Sequence, residues 1–466
     1  MPNGISLANL LTLHGLVTVV AILYYVLSTH LTHQRRQPAA AIAWMLFIVL
    51  VPYLALPAFL VFGARKVQRP HVMALSKRPQ NPDEERAWAA RTIASLGQPD
   101  AVACVELNIH ADGHQALEAL LATIDAATQS IDLCTFILGR DALGDLVIDR
   151  LCAKARQGVR VRLLLDGLGS LMARRTRPRR LIAAGGQCAL FVPPLRSPLK
   201  GRTNLRDHRK LLVVDAGLPG GKLWCGGRNL ANEYFVDADG VHPWHDLSFD
   251  VRGPLVQQAQ ALFEHDWAFT HGQRAVWAAS GQVIAHNLHG CAQLVASGPD
   301  QADDTLHALL VTAAFRAQRR MVLVTPYFVP DGALLMALCL AARRGVTVDL
   351  LIPARSNHRL SDLARARALR ALSEAGGRIW LAPGMLHAKL VLIDDELALA
   401  GSANLDSRSL FINYELMVAF HGADHVRGFA AWAEHERQAA RPYVATRPGL
   451  ARDVAEGMLL WLGFQL

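Results

Sequence analysis

The constraint that governs any fold for this chain is one phrase written twice. His208-Arg209-Lys210-Leu211-Leu212-Val213-Val214-Asp215 is followed by Gly226-Gly227-Arg228-Asn229; Leu386-His387-Ala388-Lys389-Leu390-Val391-Leu392-Ile393-Asp394 is followed by Gly401-Ser402-Ala403-Asn404. In each copy the His and the Lys are two apart, so on an extended strand both point to the same face. The apolar run behind them reads as a buried strand, and the glycine turn as a place where a ligand approaches backbone closely. Lys, Ser and Asn side chains hold a phosphate, while a histidine attacks it or protonates its leaving oxygen. The candidate catalytic residues are therefore His208, Lys210, Asp215, His387, Lys389 and Asp394. The candidate phosphate-binding residues are Gly227, Asn229, Ser402 and Asn404.

The repetition reaches beyond the motif. Helical patterns at 116–127 and 141–157 alternate with apolar strands at 131–138 and 159–165; patterns at 306–318 and 332–344 alternate with strands at 321–328 and 346–352. Gly158, Gly185 and His208 recur as Gly345, Gly376 and His387 at drifting separations, which means loop insertions within a duplicated unit rather than a short-period solenoid. Strands alternating with helices predict an α/β fold: two duplicated α/β sandwich lobes related by a pseudo-twofold, at 107–285 and 286–466. Such an axis brings both His-Lys pairs to one central cleft. Between Asp215 and Gly226 the first copy is longer than the second, and the Gly- and Pro-rich filling reads as a lengthened hairpin turn.

Ahead of the lobes, residues 1–67 read as a transmembrane helical hairpin with spans at about 5–27 and 39–63, each long enough for a hydrocarbon core that takes roughly 20 helical residues. Pro52 and Pro57 predict a kink in the second span. The absence of a basic leader and of a cleavage site makes the first an uncleaved helix. Arg35 and Arg36 lie in the connecting loop, and Arg65, Lys66, Arg69, Lys77 and Arg78 follow the exit, so the positive-inside rule places the catalytic part in the cytoplasm. Residues 68–106 are polar and Pro-containing and read as a linker with one short helix. The apolar C-terminal stretch 454–466 either dips into the bilayer interface or packs on the second lobe.

The paired H-x-K-x-x-x-x-D motif resembles that of the phospholipase D superfamily. Within it, nearly the whole chain is similar to bacterial cardiolipin synthases. The likeness is carried by Asp166-Gly167-Leu168-Gly169-Ser170, Asn204-Leu205-Arg206-Asp207-His208, Asn229-Leu230-Ala231-Asn232-Glu233-Tyr234, Phe263-Glu264-His265-Asp266-Trp267, Thr325-Pro326-Tyr327-Phe328-Val329-Pro330, Gly401 to Ser409, and Asn413-Tyr414-Glu415. The resemblance implies a phosphatidyltransferase of the bacterial inner membrane, multi-pass, that joins two phosphatidylglycerol molecules into cardiolipin and glycerol through a phosphatidyl-histidine. It implies His208 as nucleophile, His387 as general acid, no cofactor, and for the motif aspartates a supporting role rather than metal binding. Hydrolysis, or transfer to another alcohol, uses the same motif and stays the alternative. In Trp244-His245-Asp246 the chain departs from the family, which usually has an arginine before the aspartate.

Composition narrows the partners. Hydrophobic residues make up 52% of the chain, high for a soluble enzyme and in keeping with membrane spans; the net charge of +9 favours anionic phospholipids. Nucleic acid has the same charge, but the aromatic-basic clusters that stack bases are lacking. The seven cysteines are scattered without a C-x-x-C pair and imply neither a disulfide framework nor a zinc site. His265 with Asp266, and His242 with His245, lack the further spacing of metal ligands, so no metal is expected.

Overall fold

The computed structural model describes residues 7–31, 38–63, 88–170, 177–193, 202–237, 242–273, 288, 290–301, 303–450, 452–454 and 456–457. Three helices open the chain: α1 Leu7–Leu31, α2 Pro38–Leu50 and α3 Pro52–Phe62. Only the first contains a segment, Thr12–His30, long and apolar enough to cross a membrane. The expected second span is two helices, because Pro52 has no N–H to continue the ladder and Val51 before it leaves helical geometry, at φ −141° and ψ 61°. Their 13 and 11 residues are each short of a crossing. The three pack around Ala21, Tyr25, Ile48, Ala55 and Phe59 and leave Leu16, Leu23, Leu50 and Leu54 exposed, an apolar exterior of the kind hydrocarbon covers. The charged residues 35–36 and 65–78 on which the orientation was read lie outside the described residues.

The remainder is two copies of one sheet. The first half supplies β1 Glu106–His110, β2 Ser130–Thr135, β3 Arg160–Asp166, β4 Gln187–Phe191, β5 Leu211–Val214, β6 Lys222–Gly226 and β7 Ser248–Arg252. The second supplies β8 Cys291–Ser297, β9 Arg320–Val324, β10 Thr347–Pro353, β11 Arg378–Ala382, β12 Leu390–Ile393, β13 Leu397–Gly401 and β14 Glu415–His421. The spatial order is β1-β7-β6-β5-β2-β3-β4 in the first sheet and β8-β14-β13-β12-β9-β10-β11 in the second, the same permutation. In each, the motif strand pairs antiparallel with both neighbours, while the strands joined through helices run parallel.

The unbroken apolar run of the motif has a structural cause. Leu211 and Val213 face a core shared by both halves, whereas Leu212 and Val214 face the first half's outer core. Leu390 and Leu392 share that central core, and Val391 and Ile393 turn outward. A strand buried on both faces cannot alternate polar and apolar residues. The central core also takes the helices Leu255–Thr270 and Ala423–Gln438, with Phe249 of the first half edge-on to Phe420 and Phe429 of the second at 5.2 and 6.1 Å.

Residues 88–103 are not a free linker. The helix Trp88–Ser95 inserts Trp88, Ala89 and Ile93 into the outer core of the second half, and Val102–Ala103 extends the second sheet beside β8. Their apolar side chains gain more from burial than from solvent. The expected lobe boundary at 285 falls within residues 274–287, outside the described residues.

Arg209, inside the first motif, ties the halves together. Its guanidinium donates to both oxygens of Asp266 at 2.5 and 2.6 Å, and to the main-chain oxygens of Glu415 and Ser297 at 3.2 and 3.3 Å. Removing one member of a buried pair strands the other charge, so Arg209→Met is expected to lower unfolding stability by about 3–5 kcal/mol, read as a shift of the urea midpoint in detergent.

Candidate active site

The two halves meet edge to edge at the histidines. The His208 N–H donates to Tyr414 O at 2.9 Å and the Tyr414 N–H to Arg206 O at 2.8 Å; the His387 N–H donates to His245 O at 2.6 Å and the His245 N–H to Met385 O at 2.9 Å. Short parallel bridges, Asp207 to Tyr414 and His245 to Leu386, record the same exchange. Each motif therefore lies against the segment that leads into the last strand of the opposite half.

That exchange completes each histidine. His208 Nδ1 stands 2.9 Å from Glu415 Oε2, and His387 Nδ1 stands 2.6 Å from Asp246 Oδ2. Each carboxylate comes from the other half. A carboxylate only accepts, so Nδ1 carries the proton and Nε2 keeps its lone pair. Phe136 packs edge-on to His208 at 5.1 Å, and Tyr234 and Trp244 pack on His387 at 5.1 and 5.4 Å, which holds both rings in place. Lys210 Nζ donates to His208 O at 2.6 Å, and Lys389 Nζ lies 3.0 Å from His387 Nε2. The two pairs are close enough to feel one another: Lys389 lowers His208 and Lys210 lowers His387.

Burial sets the charges. It lowers His208, with Glu415 opposing, and it lowers His387 to about 3 together with the Lys389 ammonium, against the pull of Asp246. Burial alone would raise Asp246, but His387, Lys389 and Arg228 hold it at about 2; His208 and Lys210 likewise keep Glu415 below the usual carboxylate range. Burial pushes Lys210 down to about 8 and Lys389 to about 7, partly offset by Glu415 and Asp246 respectively. At neutral pH both imidazoles are neutral, both carboxylates are ionised, and the lysines sit at the edge of losing their charge. An anion between the lysines stabilises their charged forms.

The other candidates are placed differently. Asp215 and Asp394 sit at the far ends of β5 and β12, about 16 Å of extended chain from the lysines. There the Asp215 carboxylate accepts from the N–H groups of Thr128, Gln129 and Ser130 at 2.7–2.8 Å, and Asp394 from those of Gln318, Arg319 and Arg320 at 2.7–2.9 Å. They fasten the loop that leads into the neighbouring strand, and both adopt positive φ, 49° and 48°.

The glycine turns admit backbone rather than ligand. A Cβ on Gly401 would lie 2.1 Å from Leu416 O, and one on Gly227 would lie 2.2 Å from Asp246 Oδ1. The Gly227 and Ser402 N–H groups are committed to Leu247 O and Leu416 O, and the Ser402 hydroxyl donates to Glu415 Oε2 at 2.6 Å. Gly227 and Ser402 thus position the carboxylates that orient the histidines. Asn229 is held between the Ile137 N–H and the Tyr234 hydroxyl. Asn404 keeps a buried amide oxygen with no partner.

Asp246 and Glu415 are the residues that motif spacing did not single out as functional. Glu415 heads an almost wholly apolar strand, where burial demands a partner, whereas Asp246 precedes the mixed strand Ser248–Arg252 and carries no such signal. Of the remaining features, His265, Asp266 and Asp300 are within ligand distance of one another, but Arg209 already neutralises Asp266. The basic run from Arg174 lies partly outside the described residues, while Arg177 and Arg180 bind Asp145. Phe328 is core, and the Tyr327 hydroxyl bonds Asn357. Residues 458–466 lie outside the described residues.

The sequence family described as cardiolipin synthase, PLD-like domain, matches residues 120–267 and 310–437, and the phospholipase D–nuclease N-terminal family matches 16–63. The chain is 33% identical over 422 residues to cardiolipin synthase A of Pseudomonas putida, covering 86% of each. It is 30% identical over 475 residues to the cardiolipin synthase of Geobacillus kaustophilus, covering 95% of this chain and 93% of that protein. In fold it is similar to the phosphatidylserine synthase of Haemophilus influenzae, with a TM-score of 0.63 at 13% identity over 83% of this chain and 100% of that one.

Because the lysines lose charge between about pH 7 and 8, kcat/KM toward a phosphodiester should fall as pH rises through that window. Lys389→Met is expected to lower kcat/KM by about 10²-fold or more and to remove the lower step of the pH profile.

Proposed function

Since the chain belongs to the family of cardiolipin synthases built on paired PLD-like domains, we propose that its cleft moves the phosphatidyl group of one phosphatidylglycerol onto the hydroxyl of another. The enzyme is a phosphatidyltransferase of the phospholipase D superfamily with a duplicated catalytic unit. The observation that carries the reading is the reciprocal placement of the two histidines, each completed by a carboxylate from the opposite half.

His208, whose side chain is 12% exposed against 5% for His387, is the nucleophile. Its Nε2 forms a bond to phosphorus as the bond from phosphorus to the glycerol oxygen breaks, and Glu415 stabilises the cation that develops on the ring. Lys210 and Lys389 neutralise the non-bridging oxygens. His387 protonates the departing glycerol. The bound anion makes this possible by pairing with Lys389, which leaves Asp246 to raise the imidazole from its resting value. The second phosphatidylglycerol then gives its hydroxyl proton back to His387 and its oxygen to phosphorus, and the phosphorus–nitrogen bond breaks. The products are cardiolipin and glycerol, with no nucleotide or metal consumed.

The apolar helix α1 and the matching N-terminal family support a membrane-associated protein. The finer reading is a multi-pass protein of the bacterial inner membrane with its cleft on the cytoplasmic side, where phosphatidylglycerol is at hand and access from the lipid side keeps bulk water from competing as acceptor.

Lipid mass spectrometry on purified protein in phosphatidylglycerol vesicles tests this. Wild type should give cardiolipin and free glycerol; phosphatidic acid as the main product would mean a hydrolase. His208→Ala should abolish turnover. His387→Asn should slow it by about 10²–10⁴-fold and leave lipid covalently attached to His208, detectable by peptide mass. Attachment at His387 in the His208→Ala variant would reverse the two roles.

A further inference from the structure

The pseudo-twofold makes the two sides of the cleft equivalent in backbone, but not in charge. Two guanidiniums gather on the segment that leads into His208: Arg206, which belongs to it, and Arg408, which binds it at Asn204. Arg206 is only 7% exposed; it donates to Leu205 O and Thr203 O, both at 2.6 Å, while its Nε–H is buried without a partner. Arg408 donates to Asn204 Oδ1 at 3.1 Å and to Asn204 O at 2.9 Å. Neither makes an ion pair among the described residues. Asp166, the nearest compensating carboxylate for Arg206, is taken up by the N–H groups of Leu168, Gly169 and Asp207. The two guanidiniums also repel: Arg206 lowers Arg408.

The other side has no such pair. Met385 holds the place of Arg206, since its carbonyl accepts from His245 as that of Arg206 accepts from Tyr414. Glu233 holds the place of Arg408, four residues beyond the motif asparagine in each copy. A guanidinium buried without an ion pair is costly, and Arg206 is kept beside the half-buried Arg408, with Asp166, Asp406 and Glu415 acting on the two only without direct pairing; such a site suits an anion from outside.

Position identifies that anion. Arg206 lies two residues before His208, a Cα spacing of about 6–7 Å along extended chain. The acceptor in the transfer proposed above carries a phosphodiester of its own, separated from its reactive hydroxyl by a three-carbon glycerol. The helix α3 packs against Arg202–Asn204, which sets the pair where the apolar N-terminal helices join the catalytic part.

We propose that Arg206 and Arg408 form the subsite for the second phosphate, the phosphodiester of the acceptor phospholipid. The subsite rests on the transferase reading: it holds the acceptor headgroup while its hydroxyl faces the phosphorylated His208, and it makes the His208 side of the cleft select an anionic lipid over water or a simple alcohol.

The test is a competition in phosphatidylglycerol vesicles containing ethanol, with cardiolipin and phosphatidylethanol measured in the same reaction. Ethanol carries no phosphate. In Arg408→Gln, and in Arg206→Gln if it folds, the ratio of cardiolipin to phosphatidylethanol should fall about tenfold or more, and Arg408→Lys should recover part of it. A ratio within twofold of wild type overturns the subsite, whether total turnover is kept or both products fall together; the latter would mean a donor-side or structural role. Wild-type protein that makes phosphatidylethanol and phosphatidic acid but no cardiolipin would overturn the transferase reading and the subsite with it.

Discussion

Everything in the catalytic part depends on an exchange of buried carboxylates. A neutral imidazole buried alone has no fixed tautomer, and a carboxylate buried alone is strongly disfavoured. Setting His208 against Glu415 and His387 against Asp246 solves both problems at once. Because each pair spans the two halves, neither half contains a complete histidine site. The shared core, the Arg209 clamp and the reciprocal main-chain bonds at Tyr414 and His245 all hold the halves in the one register where the exchange is possible.

The electrostatic design follows from burial. Four ionisable motif side chains share a small volume, and each is moved away from its solution behaviour. The histidines are kept neutral, which one of them needs for attack, while the lysines give up part of their affinity for protons. A bound phosphodiester supplies the negative charge that this arrangement lacks, and so it restores the ammonium groups and makes protonation of His387 accessible. The same logic extends outward to Arg206 and Arg408, which make no ion pair among the described residues.

The N-terminal helices complete the picture physically. Their outward faces are apolar, Phe59 packs inward 5.1 Å from Tyr25 and 5.2 Å from Trp44, and α3 reaches the segment just ahead of His208. A lipid-modifying cleft needs a dry approach from the side on which its substrate resides, and this contact places apolar surface next to the segment just ahead of His208.

By itself the sequence determined the duplication, the α/β class, the apolar N-terminus and the paired His-Lys faces, because these reside in local pattern: continuous apolar strands, the two-residue His-Lys spacing, helical spacing and a motif written twice. It also pointed to a phosphate chemistry through residue types alone. What it did not contain was which partner each group meets. Asp246 and Glu415 lie far from the histidines they complete, so their role appears only when two segments cross between halves. Conversely, Asp215, Asp394, Gly227 and Ser402 sit inside the motif yet serve backbone and carboxylates, since proximity along the chain does not decide which end of a strand, or which face of a turn, looks into the cleft. Residues 88–103 read as linker from their polarity, yet a few apolar side chains were enough to seat them on the second sheet. Long-range pairing is set by the whole packed core, and that is decided only in three dimensions.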